Sequence, residues 1–229
     1  MIDWQQLFLF ELILMRMSGF ILFNPLLGRN NLPGTVKAGL IMVLSVSVFG
    51  LEPALTVEAP SNIIVFALIM CKELGVAFVL GFVMRLFFMV VQVGGEIIDT
   101  QMGITMAQIY DAGNQSNMTV SASLLNILLV LNFFGENGHY TLMRLLESSG
   151  ELLPYGAAVF GQATASYVAE LFFTCMILAV KLALPILAAE VLEEIGMGIL
   201  MKAIPQINAF VINMELKVII GLVLLFVFL

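Results

Sequence analysis

Charged residues are scarce in this chain of 229 residues, where they make up 11% of the sequence against about 25% in a typical soluble domain. Apolar residues are correspondingly abundant, because they reach 61% and give a mean hydropathy of +1.08. This composition predicts a protein that is embedded in a membrane and contacts lipid. Acidic residues outnumber basic ones and the net charge is −7, so the sequence predicts no binding to nucleic acid, which requires basic patches.

Residues suited to metal, redox or nucleophilic chemistry are equally few. Cys71 and Cys175 both lie inside apolar runs and indicate no disulfide framework. His139 is the single histidine and has no cysteine, aspartate or second histidine at ligand spacing, so we expect no metal site and no cofactor. The motifs of serine hydrolases, zinc proteases and nucleotide-binding loops are absent. The sequence therefore predicts that the protein is not an enzyme.

Long apolar runs dominate what remains. The first is long enough as a helix to cross a hydrocarbon core of about 30 Å, and Asn24 and Pro25 end it. Pro185 is expected to kink or break a later run. The chain stops inside an apolar run, so we expect a natural C-terminal tail beyond residue 229. The pattern predicts an all-α fold, a membrane-associated bundle of long bent helical hairpins broken by proline and glycine, with main helical runs at residues 4–23, 35–51, 61–93, 118–134 and 165–201.

Five ionisable side chains interrupt the apolar helices. Each costs about 2.5–3.5 kcal/mol at the centre of a bilayer, so such residues usually face protein or water. Glu11 and Arg16 are five positions apart, about 140° round a helix, and cannot pair well with each other. Each therefore needs a partner elsewhere in the fold or in a neighbouring chain. Lys72, Glu73 and Arg85 likewise need partners in the fold or in a neighbouring chain.

A polar stripe lies in the middle of the chain, at residues 94–117. At 100° per residue, six side chains fall within roughly 40° of one line on a helix. The segment then enters a loop of small polar residues at 113–116. A polar stripe and a polar loop in an apolar chain indicate a route for something hydrophilic. The six residues are Gln92, Glu96, Asp99, Gly103, Met106 and Tyr110.

A second polar feature is the acidic face formed by Glu190, Glu193 and Glu194, which have the i, i+3, i+4 spacing of one helix face. Three like charges on one face destabilise a helix unless water, a cation or basic partners relieve them. The acidic face is therefore either a solvated helix end near the membrane surface, or an interface or aqueous lumen. From the residues alone, a conduit or gate subunit ranks first, a small secondary transporter second and a purely structural membrane subunit third. The transporter would use Glu73, Glu190 or Asp99 as a proton or sodium site.

Three blocks of sequence, in this order, resemble the FliR/SctT family of flagellar and type III secretion export-gate proteins. They are NPLLGRNNLPGTVKAGL at 24–40, GEIIDTQMGITMAQIYD at 95–111 and AIPQINAFVINMELK at 203–217. The resemblance implies one all-helical subunit over residues 1–229, in the bacterial inner membrane and within the flagellar basal body. It also implies assembly with FliP-like and FliQ-like subunits beside FlhB-like and FlhA-like export proteins, and passage of unfolded substrate proteins.

The same resemblance implies roles for individual residues. A plug segment, mapped to residues 106–121, would close the channel, with Met106 and Met118 as adaptable apolar seals. The polar stripe and the acidic face would line the lumen or a subunit interface, and the five intrahelical charges would find partners across subunit boundaries. The plug residues are Met106, Tyr110, Asp111, Gly113, Asn114, Asn117 and Met118. The lumen or interface residues are Gln92, Glu96, Asp99, Gln101, Glu190, Glu193 and Glu194. A structural bend is assigned to Pro205, Gln206 and Asn208.

Overall fold

The computed structural model describes residues 4–51, 57, 59–105, 108–111, 116–204 and 209–228. The expectation of an all-α fold is confirmed, because helices contain most of these residues. One short pair of antiparallel strands, which the sequence did not predict, separates the third and fourth helices. The elements are α1 Trp4–Phe23, α2 Gly34–Leu51, α3 Ile63–Met102, β1 Gln108–Asp111, β2 Ser116–Thr119, α4 Val120–Gly135, α5 Gly138–Leu152, α6 Gln162–Ala203 and α7 Ala209–Phe228.

The first helix ends where its sequence predicts. α1 stops at Phe23, and Asn24 then forms the turn that leads away from it. The side-chain Oδ1 of Asn24 accepts hydrogen bonds from the backbone N–H of Leu26 over 2.8 Å and of Leu27 over 3.2 Å. Because an asparagine side chain can replace the next backbone acceptor, it stabilises a turn at the point where proline prevents further helix.

Two helices are longer than predicted. α3 continues without interruption past residue 93 to Met102, so the predicted end before Gly94 is wrong. α6 contains Pro185 within its 42 residues and is not broken there. A proline removes one N–H donor and crowds one carbonyl, but the other hydrogen bonds of a long helix remain. A glycine pair likewise weakens a helix without ending it when neighbouring elements pack closely against it.

One compact unit consists of residues Met1–Leu86 and Asn132–Leu171. α1 is its central element: 50% of its most apolar 18-residue stretch is buried, whereas only 11% of the equivalent stretch of α2 is buried. A Cβ built on Gly19 would lie 2.8 Å from the Cβ of Ala77, so α1 and α3 approach as closely as a glycine permits. The buried apolar side chains that α1 contributes are Phe8, Leu9, Leu12, Ile13, Met17, Phe20 and Ile21.

The other compact unit consists of residues Phe87–Leu131 and Phe172–Leu229. Its apolar core combines side chains from the end of α3 with others from α4, α6 and α7. Glycines again permit close approach: a Cβ built on Gly94 would meet Leu182 and the carbonyl oxygen of Ala179 on α6. The buried core residues are Ile98, Met102, Leu125, Ala183, Ile186 and Leu225.

Among the described residues, four helices are long and apolar enough to cross a membrane: α1, α2, α3 and α6. The pair α4 and α5 passes the same test when taken together, although it is bent by 69° between the two helices. The number of candidate spans is therefore four, or five if the bent pair forms one span. Most of the apolar surface of α6 is left for contacts outside this chain, because only 22% of its most apolar 18-residue stretch is buried.

Candidate functional site

α3 ends next to a glycine, a few residues before the predicted plug segment at residues 106–121. Gly103 has a φ of +76°, a left-handed conformation that glycine adopts without strain. The backbone N–H of Ile104 donates to the carbonyl oxygen of Asp99 over 3.0 Å and completes the end of the helix. The chain then forms the hairpin of β1 and β2, in which Ile109 pairs with Met118 and Asp111 with Ser116. The predicted loop of small polar residues is thus partly a strand pair, with Ser116 in β2.

Asp99 joins the two ends of this hairpin. Its carboxylate accepts hydrogen bonds from the backbone N–H of Ser121 over 2.8 Å and from the Ser121 hydroxyl over 2.5 Å. α4 starts at Val120, so the Ser121 N–H has no acceptor within its own helix. A carboxylate at a helix N-terminus supplies that acceptor and interacts favourably with the helix dipole. We name this pair of residues, Asp99 and Ser121, the hairpin clasp.

The hairpin clasp corrects the predicted environment of Asp99. The sequence analysis assigned Asp99 to a lumen or a subunit interface, whereas its side chain is fully buried inside the chain. Helical periodicity places Asp99 on the same line as Gln92 and Glu96, but it does not reveal which part of that line another helix covers. A Cβ built on Gly95 would lie 2.5 Å from the backbone nitrogen of Ala122, which shows how closely α4 approaches α3 at this point.

The other residues of the polar stripe remain more accessible. Gln92 and Glu96 are half-buried, and Gln92 Nε2 donates to Glu96 Oε1 over 3.3 Å. Gln101 is half-buried as well. These three side chains therefore keep the predicted possibility of contact with a lumen or a neighbouring subunit, which stays a prediction.

The predicted plug residues divide into three groups. Met118 is buried and Asn117 is exposed, on neighbouring positions of β2. Tyr110 and Asp111 are described only as backbone positions of β1, where Tyr110 pairs with Asn117. The remaining predicted plug residues lie outside the described part of the chain: Met106, Gly113 and Asn114.

The acidic face on α6 lies against α7. Glu194 forms a salt bridge with Lys217, and Glu193 lies beside Asn213, whose amide nitrogen donates to Glu193 Oε1 over 2.9 Å when it is turned toward the carboxylate. Glu190 lies beside Gly221 and is fully buried. From Glu190 to Glu194 on α6 the partner on α7 moves back from Gly221 to Lys217, so the two helices are antiparallel here. The acidic face thus packs in part against α7 of the same chain, with Glu194 still exposed, and its contact with a lumen or a neighbouring subunit stays a prediction.

Arg16 and Glu73 also meet within the chain. Arg16 Nε donates to Glu73 Oε2 over 2.6 Å, and both side chains are fully buried. The prediction that these two residues find partners in other subunits is wrong. α1 and α3 pack together, which brings two residues of opposite charge into contact although they are far apart in the sequence.

Further groups complete the environment of this ion pair. Arg16 Nη1 donates to the carbonyl oxygens of Ser149 and Leu153, both over 3.0 Å, and the guanidinium lies 4.1 Å from the ring centroid of Tyr155. Glu73 Oε1 accepts from the N–H of Gly156 over 2.8 Å. The sequence analysis did not single out these contacts. No local signal indicates them, because they are formed by backbone groups at the end of α5 and in the turn that follows.

The other intrahelical charges behave differently. Lys72 and Arg85 have exposed side chains and Glu11 is half-buried. None of the three forms a salt bridge with another described residue. Their predicted pairing with other subunits therefore stays a prediction. The predicted bend residues Pro205, Gln206 and Asn208 lie outside the described residues, between the end of α6 and the start of α7.

Within the described ranges, no group of three histidine, cysteine, aspartate or glutamate side chains converges as a metal site would require. What the described chain presents is four or five apolar helices of spanning length, one buried ion pair and a clasped hairpin. These features define the class, a helical membrane protein that crosses the bilayer several times.

Comparison with known proteins gives the family. The family model described as "Bacterial export proteins, family 1" matches residues 7–229. The chain is 28% identical over 225 residues to the flagellar biosynthetic protein FliR of Escherichia coli (strain K12), covering 98% of this chain and 84% of that protein. Identity to FliR of Bacillus subtilis (strain 168) is 26% over 224 residues, covering 95% and 85%. The Yop proteins translocation protein T of Yersinia pestis is 26% identical over 226 residues, covering 96% and 85%.

The chain belongs to family 1 of the bacterial export proteins, since the match extends over almost its entire length. The resemblance to the FliR/SctT family, which rested on three short blocks of sequence, is thereby confirmed.

Proposed function

We propose that the protein is a subunit of a flagellar or related type III export gate in the bacterial inner membrane, and that its plug segment closes the channel through which unfolded proteins pass. The observation that carries the first part is similarity over residues 7–229 to family 1 of the bacterial export proteins, together with relatives named for flagellar biosynthesis and for translocation of Yop proteins. In this role the protein acts as one non-enzymatic subunit of the flagellar basal body.

The geometry of the hairpin supports the plug. β1 and β2 share a register of four residue pairs, and an isolated two-stranded hairpin is at best marginally stable in water. Its base, by contrast, is fixed by the hairpin clasp, in which Asp99 is fully buried. A segment that is held firmly at its base and weakly along its length can be displaced by a passing chain and can return to the same place afterwards.

The accessible charges support a role in an assembly. Lys72 is exposed on α3, at the rim of an apolar groove that Leu68, Phe78 and Phe160 also line. A lysine beside an apolar groove suits a helix that presents one carboxylate among apolar side chains. We therefore assign FliP-like and FliQ-like subunits as the neighbours of this surface, with Glu11 and Arg85 as further contact points, and FlhA-like and FlhB-like proteins as members of the same apparatus.

The transporter alternative has less support. It requires free carboxylates near the centre of the membrane, and Glu73 and Asp99 were two of its three candidates. Glu73 is paired with Arg16, and Asp99 accepts two hydrogen bonds from Ser121. Both carboxylates therefore already have partners in the fold and are poorly suited to binding and releasing a transported ion, which leaves Glu190 as the one candidate of the three without a hydrogen-bond partner among the described residues.

Deletion of residues 112–117 tests the plug. The gate is assembled from the full chain and its co-expressed export subunits in vesicles, and ion leak is measured by a fluorescent flux assay. The deletion removes the connection between the strands and is expected to raise the leak. A matched control replaces the same six residues with glycine and serine at equal length, so that the hairpin can still close and the leak stays near the wild-type value. Unchanged leak in the deletion contradicts the plug assignment.

Co-purification tests the subunit assignment separately. The tagged full chain, expressed with its chromosomal neighbours, should be recovered in a stable complex with two other small and very apolar proteins. Recovery of the chain alone, with saturable uptake of a small solute into vesicles that contain no other protein, would instead support the transporter. The two assays are independent, because a subunit of the gate need not supply its plug.

A further inference from the structure

The contact between α6 and α7 leaves one carboxyl group without a polar partner. Glu190 is fully buried, and neither of its carboxyl oxygens has a hydrogen-bond partner among the described residues. A Cβ built on Gly221 would lie 3.1 Å from Glu190 Oε1 and would also collide with Met102. The carboxyl group therefore lies between a thioether side chain and a glycine of α7, neither of which stabilises a negative charge.

The polar partners that α7 offers are already used. The salt bridge of Lys217 is with Glu194, one turn along α6 from Glu190. Asn213 lies beside Glu193. The same antiparallel register that pairs these residues brings Gly221, which has no side chain, to Glu190. One carboxyl of three is thus enclosed without compensation, whereas its two neighbours have polar partners.

An ionised carboxylate is very unfavourable in such a place, and buried groups of this kind normally become neutral. We propose that Glu190 is a proton-binding site, and that its carboxyl group holds a proton while α6 and α7 are packed together. The proton neutralises the one carboxyl of the acidic face that the fold encloses without a partner. Ionisation of Glu190 would place an uncompensated charge in this contact and would loosen α7 from α6.

A proton fits the surroundings better than a metal cation does. Sodium and the divalent ions require several oxygen ligands, whereas the described residues bring no group of three acidic, histidine or cysteine side chains together at Glu190, and the residues seen to approach Gly221 beside it include the thioether of Met102. The charged groups that face Glu190 are Glu193 and Glu194 on its own helix and Lys217 on α7. α3 contributes the uncharged Met102. The two neighbouring carboxylates disfavour a third negative charge, while Lys217 is engaged by Glu194.

Infrared spectroscopy tests the proposal directly. The full chain is purified with its co-expressed export subunits, and the C=O stretching band of protonated carboxylic acids is recorded at neutral pH. The wild-type complex should show such a band, and Glu190→Gln should remove it. Glu147→Gln, the same change at an exposed glutamate of α5, should leave the band in place. A spectrum that is identical in wild type and in Glu190→Gln overturns the proposal.

Thermal stability against pH provides a second measurement. As the pH rises, ionisation of Glu190 should lower the unfolding temperature of the wild-type complex. Glu190→Gln cannot ionise, so its unfolding temperature should fall less over the same range, whereas Glu147→Gln, at an exposed position of α5, should follow the wild type. Parallel curves for wild type and Glu190→Gln contradict the proposal. Failure of Glu190→Gln to assemble also contradicts it, because a neutral group of the same shape should be accepted.

Sodium titration distinguishes the proton from a metal ion. Addition of sodium in place of potassium at constant pH and ionic strength should leave the unfolding temperature of the wild-type complex unchanged. Stabilisation by sodium that Glu190→Gln abolishes would assign the site to a cation and overturn the proposal. The outcome does not depend on the plug assignment, because α6 and α7 lie outside the plug segment and ion leak is not measured.

Discussion

Arg16 Nε donates to Glu73 Oε2 over 2.6 Å, although the two residues lie on α1 and α3 and are separated by 57 positions. The same guanidinium donates to two carbonyl oxygens at the end of α5, from Ser149 and Leu153. One buried cation therefore connects three segments of the chain: it adds a second donor to the Ser149 carbonyl, which also accepts from the Leu153 N–H, and it supplies a donor to the Leu153 carbonyl just beyond α5. A buried ion pair becomes favourable only when additional hydrogen bonds of this kind accompany it.

Removal of one partner should be far more damaging than removal of both. Arg16→Met leaves the Glu73 carboxylate buried and unpaired, and we expect a loss of about 3–5 kcal/mol in the free energy of unfolding. Glu73→Leu should have a similar effect. The double variant should lose less than the sum of the two, because no unpaired charge remains. Unfolding temperature and steady-state level of the export complex measure this, and Arg85→Met, at an exposed side chain, is the control. Strict additivity of the two single changes would contradict the pairing.

The hairpin clasp should control exchange at the start of α4. Asp99→Ala removes both hydrogen bonds to Ser121, and loss of a helix-capping side chain typically costs about 0.5–2 kcal/mol. Amide hydrogen exchange at residues 119–122 should therefore become faster, and ion leak through the assembled gate should rise. Asp99→Asn should have a smaller effect, because its amide oxygen still accepts from the Ser121 N–H.

Thr100→Ala is a suitable control for the clasp. Thr100 is exposed on the same helix, and among the residues that the structure describes its hydroxyl bonds only to the carbonyl oxygen of Glu96. This variant should leave exchange at residues 119–122 as in the wild type. Equal exchange in Asp99→Ala and Thr100→Ala would show that the clasp does not stabilise the start of α4.

Two glycines in helices should respond to alanine in opposite directions. At Gly95 a Cβ would lie 2.5 Å from the backbone nitrogen of Ala122, and backbone cannot move aside as a flexible side chain can. Gly95→Ala should cost at least about 1–3 kcal/mol by overpacking. At Gly196 a Cβ would meet nothing within 4 Å, so Gly196→Ala should stabilise α6 by about 0.5–1 kcal/mol. Thermal unfolding of the complex compares the two. A loss of stability in Gly196→Ala would indicate a contact at this face with another subunit.

The two partners of the salt bridge between Lys217 and Glu194 should differ in how much their replacement lowers the free energy of unfolding. The Glu194 side chain is 45% exposed and that of Lys217 only 14%. Glu194→Gln should change the free energy of unfolding by about 0–1 kcal/mol, with less effect at high salt. Lys217→Met should cost more, because it removes the more deeply buried partner and the one basic group of the described residues that the acidic face has beside it. An unfolding series at two salt concentrations measures both, and a larger effect of Glu194→Gln would contradict this ranking.

Local signals in the sequence were sufficient for much of the fold. Asn24 and Pro25 marked the end of α1 because both act on the backbone next to them. The boundary between α3 and the polar stripe was wrong, because the cost of Gly94 and Gly95 in a helix depends on what packs against them. For these two glycines the neighbours are α6 and α4, which no local pattern reveals.

The candidate site was predicted less well, for a related reason. Periodicity placed Asp99 on the same helix face as Glu96. Asp99 is fully buried and Glu96 only half-buried, and this difference depends on the position of α4, which periodicity does not reveal. The strands of the hairpin are only four residues long, too short for a reliable period-2 pattern. Arg16 and Glu73 required the packing of two helices to be known before their pairing could be inferred. Charge alone suggested that partners exist, but not where they lie.

The length of α6 has a practical consequence for producing the protein. Its 42 residues extend about 63 Å at 1.5 Å per residue, roughly twice the 30 Å hydrocarbon layer that a bilayer provides or a detergent belt imitates. Only 22% of its most apolar 18-residue stretch is buried by the rest of the chain. Much of the remainder must therefore be covered by other polypeptides. Chains synthesised in excess of those polypeptides should aggregate even in good detergent, so the yield of usable protein should follow the scarcest co-expressed subunit.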